Sequence, residues 1–471
     1  MSDVQLVWFR NDLRTHDQRA LADAARRGPV VAVYCFCPGQ WHVHDVGGNR
    51  AAFVLAHLEA LRADLAALRI PLRILETDRF ASVPGALLSL AEALGAKTLW
   101  FNDEYPLNEQ RRDARVERAF TEAGLTVERR TDALIHAPGT VLTGNGGPYT
   151  VFTPFRRRWT AMFERAAAAP LAAPLAQADT GIAGDAIPAL PASFEVTADL
   201  GAWPVGEAKA LDRLATFVES RVRRYDADRD FPAIDGTSAL SPYLSLGVIS
   251  PRTCFDAALD ANEGRLDSGD EGIVTWVSEL IWREFYRHVI SAFPHVSRGR
   301  AFREEYDDFP WRDDADALAA WEQGRTGYPL VDAAMRQLVA TGWMHNRLRM
   351  VTAMFLSKNL LLDWHAGERF FMRHLLDGDF AANNGGWQWS ASTGTDAAPY
   401  FRIFSPVSQS ERFDPDGVFI RTWVPELTEM PTRALHDPNR LGDVDGYPAP
   451  IVDAKATRQR AIDSFRAHAG G

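Results

Sequence analysis

Val4-Gln-Leu-Val-Trp-Phe9, a polar turn, the alanine-rich stretch Gln18 to Arg27, and then Val30-Val-Ala-Val-Tyr-Cys-Phe36 open the chain. Two apolar runs of strand length flank a run with helical periodicity, which reads as a β-α-β unit. Downstream, a helical pattern spans Asn49 to Leu68, a strand run Leu72 to Leu75, a helix Val83 to Leu94 and a strand Thr98 to Asn102. This alternation predicts an α/β domain with a doubly wound parallel sheet over residues 1–135. Such sheets bind ligands beyond the carboxyl ends of their strands, and the runs Trp8 to Asp12, Gln40 to His44 and Asn102 to Tyr105 fall there. Neither Gly-x-Gly-x-x-Gly after the first strand nor Gly-x-x-x-x-Gly-Lys-Ser/Thr occurs, so a glycine-loop phosphate site lacks support.

Between residues 136 and 206 the composition shifts to Ala, Pro and Gly with weak periodicity, as in Pro188-Ala-Leu-Pro191, which reads as an interdomain linker. From residue 207 to 471 helical periodicity dominates, with amphipathic runs at Glu207 to Tyr225, Ile273 to Ala292, Tyr328 to Thr341, Arg347 to Leu362 and Gly367 to Leu376. An all-α second domain is expected there. With 471 residues, 46% hydrophobic and 24% charged, the chain has the material for more than one core, which excludes a disordered or fibrous protein. The net charge of −11 argues against a non-specific nucleic-acid coat or a basic membrane binder. Three cysteines cannot build a complete disulfide framework, no signal-peptide pattern precedes Asn11, and no apolar run reaches the ~18 residues of a membrane span. A cytoplasmic protein is expected.

Most of the tryptophans follow residue 200, and several stand beside polar residues. In Trp276-Val-Ser-Glu279-Leu-Ile-Trp282-Arg283-Glu-Phe-Tyr-Arg287, the residues Trp276, Glu279, Arg283 and Arg287 recur at helical spacing on one face. That face reads as a ligand surface instead of core, or alternatively as a solvated face with a Glu-Arg pair. In Thr341-Gly-Trp-Met-His345-Asn346-Arg347-Leu-Arg349-Met350, Asn346 and Met350 lie one turn apart. Asn can hydrogen-bond a heterocycle, and Met packs softly against a flat apolar surface. The segment Asp377-Gly-Asp379-Phe-Ala-Ala-Asn383-Asn384-Gly-Gly-Trp387-Gln-Trp389 is rich enough in Gly and Asn to read as a shaped loop beside a ligand. Together these residues suit a large planar cofactor with phosphates, since no nucleophile-base pair or metal spacing is evident. His42-Val-His44 lacks the further ligands of a metal site and reads as two ordinary polar residues.

The chain resembles the class I cyclobutane pyrimidine dimer DNA photolyases of the photolyase/cryptochrome family. The resemblance runs through Val7 to Arg14, Val151-Phe-Thr-Pro-Phe155, Arg229-Asp-Phe-Pro232, Gly236-Thr-Ser-Ala-Leu-Ser241, Glu279 to Tyr286, Gly327 to Met335, Gly342 to Met350, and Asp379 through Phe404. It implies FAD, working as FADH−, in the helical domain, an antenna chromophore near the α/β domain, and light-driven repair of DNA. Carried over by motif, Tyr225, Thr237, Ser238, Ala239, Leu240 and Ser241 would hold the phosphate and adenosine side of FAD. Ala239 stands where an Arg is common. Trp276, Arg283, Asp377, Gly378 and Asp379 would line the flavin, Arg349 would pair with Asp377, and Asn383 would face flavin N5. By the same resemblance, Glu279 and Asn346 would also border the cofactor.

The resemblance further assigns the lesion pocket to Glu279, Trp282, Asn346, Met350 and Trp389. Arg229, Arg347, Arg402 and Gln409 are implied DNA-backbone contacts. Trp387, Trp364 and Trp311 match a tryptophan chain that passes electrons to oxidised flavin. His44, Asn108 and Glu109 match positions tied to the antenna 5,10-methenyltetrahydrofolate, with Ser297-Arg298 where Cys-Lys is frequent. No metal is implied. The expected partner is DNA containing cyclobutane pyrimidine dimers, met by a monomer without an obligate protein partner, nucleoid-associated when on DNA. A (6-4) photolyase would carry histidines at Asn346 and Met350, and a nucleotide-dependent ligase would need the missing phosphate loop. A cryptochrome-like photoreceptor is the main alternative, although Glu279, Trp282 and Asn383 are all retained. The acidic excess sits in residues 256–271 and 303–316, whereas 221–229 and 335–350 are arginine-rich, so a local basic rim is compatible with the overall charge.

Overall fold

The computed structural model describes residues 3–469. In chain order its elements begin with β1 (Gln5–Phe9), α1 (Arg19–Arg27), β2 (Val30–Phe36), α2 (Pro38–Val43), α3 (Gly48–Ala67), β3 (Leu72–Glu76), α4 (Val83–Leu94), β4 (Thr98–Asn102), α5 (Leu107–Glu122) and β5 (Thr126–Arg130). Next come α6 (Phe152–Met162), α7 (Glu207–Ser220), α8 (Tyr225–Asp228), α9 (Ser241–Ser245), α10 (Pro251–Ala261) and α11 (Glu271–Ala292). The remainder is α12 (Ala315–Glu322), α13 (Pro329–Thr341), α14 (Asn346–Met354), α15 (Trp364–His374), α16 (Phe380–Ala391), α17 (Pro406–Phe413), α18 (Val418–Trp423), α19 (Thr432–Leu435) and α20 (Ala454–Ala469).

One compact unit comprises Met1–Val196, Trp203–Arg223 and Ser238–Pro294. Its sheet is parallel throughout in the order β3-β2-β1-β4-β5, with Gln5 opposite Val30 and Thr98. β1 and β2 are buried along their whole length, which explains their near-continuous apolar sequence. Leu6, Trp8, Val31, Val33, Leu99 and Phe101 pack one face of the sheet against Leu87 and Leu90 of α4 and Val116 and Phe120 of α5. β5 escaped the sequence reading because Thr-Val-Glu-Arg-Arg is a polar edge strand with no fully buried residue. The stretch 136–206, expected to be a linker, carries a helix of its own. In α6, Phe152, Phe155 and Trp159 form a buried stripe, and the carboxylate of Glu284 accepts a 2.8 Å bond from Trp159 Nε1.

The other unit comprises Thr197–Ala202, Arg224–Thr237 and His295–Gly471. Its core gathers Leu330, Val331 and Leu338 of α13, Leu348 and Val351 of α14, Trp364 and Phe371 of α15, and Trp387 of α16. Two local expectations need correction. The run Arg347 to Leu362 is not one α-helix: α14 passes into a π-helix at Phe355–Leu360 that ends at Leu361 with φ 57°. Lys358, fully buried within that turn, donates to Ala391 O and Ser392 Oγ, both at 2.9 Å, and lies 3.5 Å from the ring centroid of Phe465. These contacts hold a register that helical periodicity alone does not call for.

The second correction concerns Asp377 to Trp389, which is largely helix α16, not a loop. Asp379 caps it by accepting from Ala382 N at 3.0 Å. Asn383 and Asn384 then donate to Glu368 of α15, through Asn383 Nδ2 to the backbone oxygen at 3.0 Å and Asn384 Nδ2 to the carboxylate at 2.8 Å. Gln388 donates to Asn384 Oδ1 at 2.9 Å. These bonds offset the ~1 kcal/mol that each Gly costs a helix interior.

Candidate functional site

In the sheet-bearing unit, the expected ligand-binding end of the sheet is filled by the chain's own charged side chains. Asp12, just beyond β1, accepts from Arg10 N at 2.6 Å, Asn102 Nδ2 at 2.7 Å and Gln18 Nε2 at 2.9 Å. Arg10 pairs with Asp113 at 3.1 Å, and Arg112 pairs with Glu104 at 2.7 Å and Asp113 at 2.8 Å. Both guanidinium groups lie over Trp8, at 4.3 and 4.6 Å from its ring centroid. Burial works to raise the Glu104 carboxyl, but Arg112 and Arg10 outweigh it and hold the group down to about 2.

Beside this cluster stand His44, Asn108 and Glu109. His44 Nε2 lies 3.0 Å from both Gln40 Nε2 and Asn108 Nδ2, and since an amide nitrogen only donates, its single lone pair is shared between these two donors. The network therefore assigns the imidazole proton to Nδ1, which faces Glu109 Oε1 at 3.4 Å. Burial, reinforced by Glu104, pushes the Glu109 carboxyl up to about 7, while burial lowers His44. His42 turns elsewhere, stacking on Phe194 at 4.1 Å. Arg298 is the exposed last residue of a 3-10 turn whose first residue, Val296, is buried.

On α11 the face expected to be non-core is mixed: Trp276 is 3% and Arg287 7% exposed, while Glu279, Trp282 and Arg283 are half-buried. Trp276 is buried because Phe217 of α7 packs on it at 5.1 Å. Arg283 donates to the backbone oxygens of Ala133 and Leu244 at 2.8 and 3.2 Å. In the adjoining Ser238 to Ser241 segment, Ala239 takes a left-handed backbone, φ 47°, and Ser238 Oγ accepts from Leu240 N. Ser241 opens α9 and Leu240 is buried.

In the helical unit, Arg349 of α14 donates to Asp377 Oδ2 at 2.8 Å, whereas Asp377 Oδ1 is buried without a hydrogen-bond partner. Trp387 Nε1 is likewise buried and unpartnered. Gly378 is buried next to Asp377, and Asp379 and Asn383 are half-buried on the first turn of α16. Asn383 uses one amide N-H on Glu368, which leaves its amide oxygen and its second N-H for a ligand. His345 Nδ1 accepts from Arg347 N at 3.2 Å and so caps α14, presenting Asn346 exposed and Met350 half-buried one turn on. Trp389 is half-buried on α16.

The candidate DNA contacts differ from one another. Arg347 pairs with Asp230 at 2.6 Å and lies over Phe413 at 4.4 Å, whereas Arg402 is exposed. Arg229 lies over the buried Tyr225 at 5.3 Å, Thr237 is half-buried, and Gln409 Oε1 is buried and unpartnered. The three candidate electron carriers share one core: Trp387 and Trp364 are 2% and 1% exposed, and Trp311 is half-buried at its margin. The ring neighbours of Trp387 are Phe371 at 5.0 Å and Trp321 at 5.9 Å. Sequence reasoning gave no role to Glu368, which anchors the two asparagines, or to Phe152, although Phe152 lies in the quoted run Val151 to Phe155.

A parallel α/β fold joined in one chain to a helical core with half-satisfied polar groups defines a two-part cofactor-binding protein. Residues 5–175 match the family described as DNA photolyase, and residues 276–467 match the FAD binding domain of DNA photolyase. Deoxyribodipyrimidine photo-lyase of Escherichia coli K12 is 43% identical over 98% of both chains, and that of Vibrio cholerae 42% identical over 99% of this chain and 100% of its own. A class III photolyase structure from Agrobacterium tumefaciens superposes with a TM-score of 0.90 at 35% identity, covering 100% of this chain and 98% of that one. A Synechocystis cryptochrome gives 0.88 at 28%, covering 98% and 99%. The chain belongs to the DNA photolyase family.

Proposed function

We propose that the protein is a deoxyribodipyrimidine photo-lyase of class I, which splits cyclobutane pyrimidine dimers in DNA using light. The full-length match to proteins of that name carries the reading. FAD fits the helical unit, because Asp377 Oδ1 is a buried acceptor in need of an N-H donor. Trp276, Arg283, Arg349, Asp379 and the segment Tyr225, Thr237 to Ser241 complete the residues assigned to it. These residues would hold FADH−, which would supply, on excitation, the electron that opens the cyclobutane ring and would then take it back. Around it, Arg349 holds the Asp377 carboxylate in place, and Asn383 offers an uncharged hydrogen-bonding group.

Trp282 and Trp389 give the flipped dimer two indole surfaces, each worth roughly 1 to 3 kcal/mol by the measure of base stacking. Glu279 and Asn346 address the base edges, Glu279 stabilising charge that develops on the dimer, and Met350 packs on its apolar part. Arg229, Arg347, Arg402 and Gln409 position the backbone. Trp387, Trp364 and Trp311, which share one core, would pass electrons to oxidised flavin. The antenna assigned to His44, Asn108, Glu109 and Arg298 is 5,10-methenyltetrahydrofolate, and in support His44 stands 3.0 Å from Asn108 and 3.4 Å from Glu109, a set of donors and acceptors in one place. The protein acts as a cytoplasmic monomer that joins the nucleoid when on DNA. Among the described residues no helix is long and apolar enough to cross a membrane.

A photoreceptor reading is kept by the cryptochrome superposition. Purified protein is expected to show flavin absorption and to remove dimers from DNA only under blue or near-ultraviolet light, whereas flavin without light-dependent dimer loss would favour the photoreceptor. Glu279→Ala is expected to lower the repair yield about tenfold or more with FAD still bound. Full repair in that variant would remove the assigned role.

A further inference from the structure

The run Val151 to Phe155 carries part of the family resemblance without carrying a function, and the surroundings of Phe152 suggest one. Phe152 opens α6 and is 6% exposed. Its ring lies face to face with the indole of Trp282 on α11, with centroids 3.7 Å apart and planes 10° apart. That overlap takes up one π face of the indole. Phe285 meets Trp282 edge-on at 5.6 Å and 80°, and Tyr286 sits at 5.6 Å, tilted by 32°.

The helix that carries Phe152 is pinned to α11. Glu284, 1% exposed on α11, accepts from Trp159 Nε1 at 2.8 Å, from Ile135 N at 2.9 Å and from His136 N at 2.7 Å. Phe155, one turn after Phe152, packs on Phe285 at 5.1 Å. Phe152 itself also meets Phe285 edge-on, at 5.8 Å and 71°, so swinging its ring off the indole would break a second ring contact as well.

We propose that Phe152 is a positioning residue for the lesion: it backs Trp282 and leaves the opposite face of the indole as the one on which a flipped pyrimidine stacks. The proposal rests on the reading of Trp282 as a lesion-stacking residue. Phe152 touches no substrate in this scheme and acts through the indole, whose orientation it fixes.

The test measures binding of the flavin-loaded protein, in the dark, to a duplex carrying one thymine cyclobutane dimer and to the same duplex undamaged. Phe152→Ala is expected to weaken lesion binding about three- to tenfold, as befits one aromatic pair, with flavin absorption and affinity for undamaged DNA as in the parent. Phe152→Tyr should restore lesion affinity, and Phe152→Leu, milder for the fold, should lose it like the alanine variant. In a Trp282→Ala background, Phe152→Ala should cause no further loss. Unchanged or tighter lesion binding by both Phe152→Ala and Phe152→Leu would overturn the proposal, as would an equal loss on undamaged DNA. If Trp282→Ala itself leaves lesion affinity unchanged, the lesion-pocket reading fails and the proposal with it. If Trp282→Ala weakens binding while the Phe152 variants do not, only the proposal fails.

Discussion

In the sheet-bearing unit, Arg252 lies between Asp17 and Asp132, all about 1% exposed, and Arg14 meets Asp132 from another side. Every oxygen of the two carboxylates is used. Asp17 accepts from Arg252 Nε, Ser250 Oγ and Leu171 N, and Asp132 accepts from Arg252 Nη2, Arg14 Nη2 and Arg19 N. In the helical unit, Arg349 meets Asp377 through one carboxylate oxygen, and the other is buried without a partner. The first pair is complete within the protein and serves the architecture. The second is complete only when something else supplies a donor, since a buried acceptor left unmatched costs about 1–3 kcal/mol.

This contrast is most easily broken at Arg252. Arg252→Ala removes the cation from the buried Asp17 carboxylate and leaves Asp132 with Arg14 alone, and should cost about 3–5 kcal/mol of stability, read by denaturant unfolding. A loss under about 1 kcal/mol would mean that the network is not the support it is taken to be.

Acid sharpens the comparison next. Burial pushes the imidazoles of His57, His288 and His345 down to about 4 from the ordinary 6.5. With folded-state values below the unfolded one, their stabilising contribution is fully present above pH 6.5 and is lost as the pH falls through 4. Each group can contribute about 3 kcal/mol across that window. Protonation of His345 also removes the acceptor that caps α14, the helix of Asn346 and Met350. Unfolding free energy measured from pH 7.5 downward should therefore fall, and a flat profile to about pH 4.5 would count against neutral buried imidazoles.

The smallest effect belongs to the open pair. Asp377→Asn keeps the shape but removes the charge, and should weaken FAD binding about tenfold. Unfolding of the flavin-free protein should move by less than about 1 kcal/mol, because Arg349 is partly exposed. A large loss of stability without a change in flavin affinity would place this pair with the architectural one.

Legibility in the sequence follows the range of the interaction that decides each feature. β2, β4 and α4 occupy the residues read for them, Val30–Phe36, Thr98–Asn102 and Val83–Leu94, because a run of β-branched residues or an apolar stripe is a local signal. β5 is polar and at an edge, so its strand character depends on pairing with β4. Among the site residues, the Arg349-Asp377 pair was expected from the resemblance and is formed. The burial of Trp276 and Arg287 was not expected, because it depends on what packs over α11 and not on α11 itself.

The sequence by itself determined the alternation that makes the parallel sheet and the helical character of the second half. Tertiary structure alone decided that Asp377 to Trp389 is mostly helix, that Lys358 is buried in a π-turn, and that Phe152 lies on Trp282. The physical reason is common to all three. Periodicity reports which face of an element is apolar, but hydrogen bonds and ring contacts from distant segments decide whether a Gly-rich stretch stays helical and which polar atoms are left for a ligand.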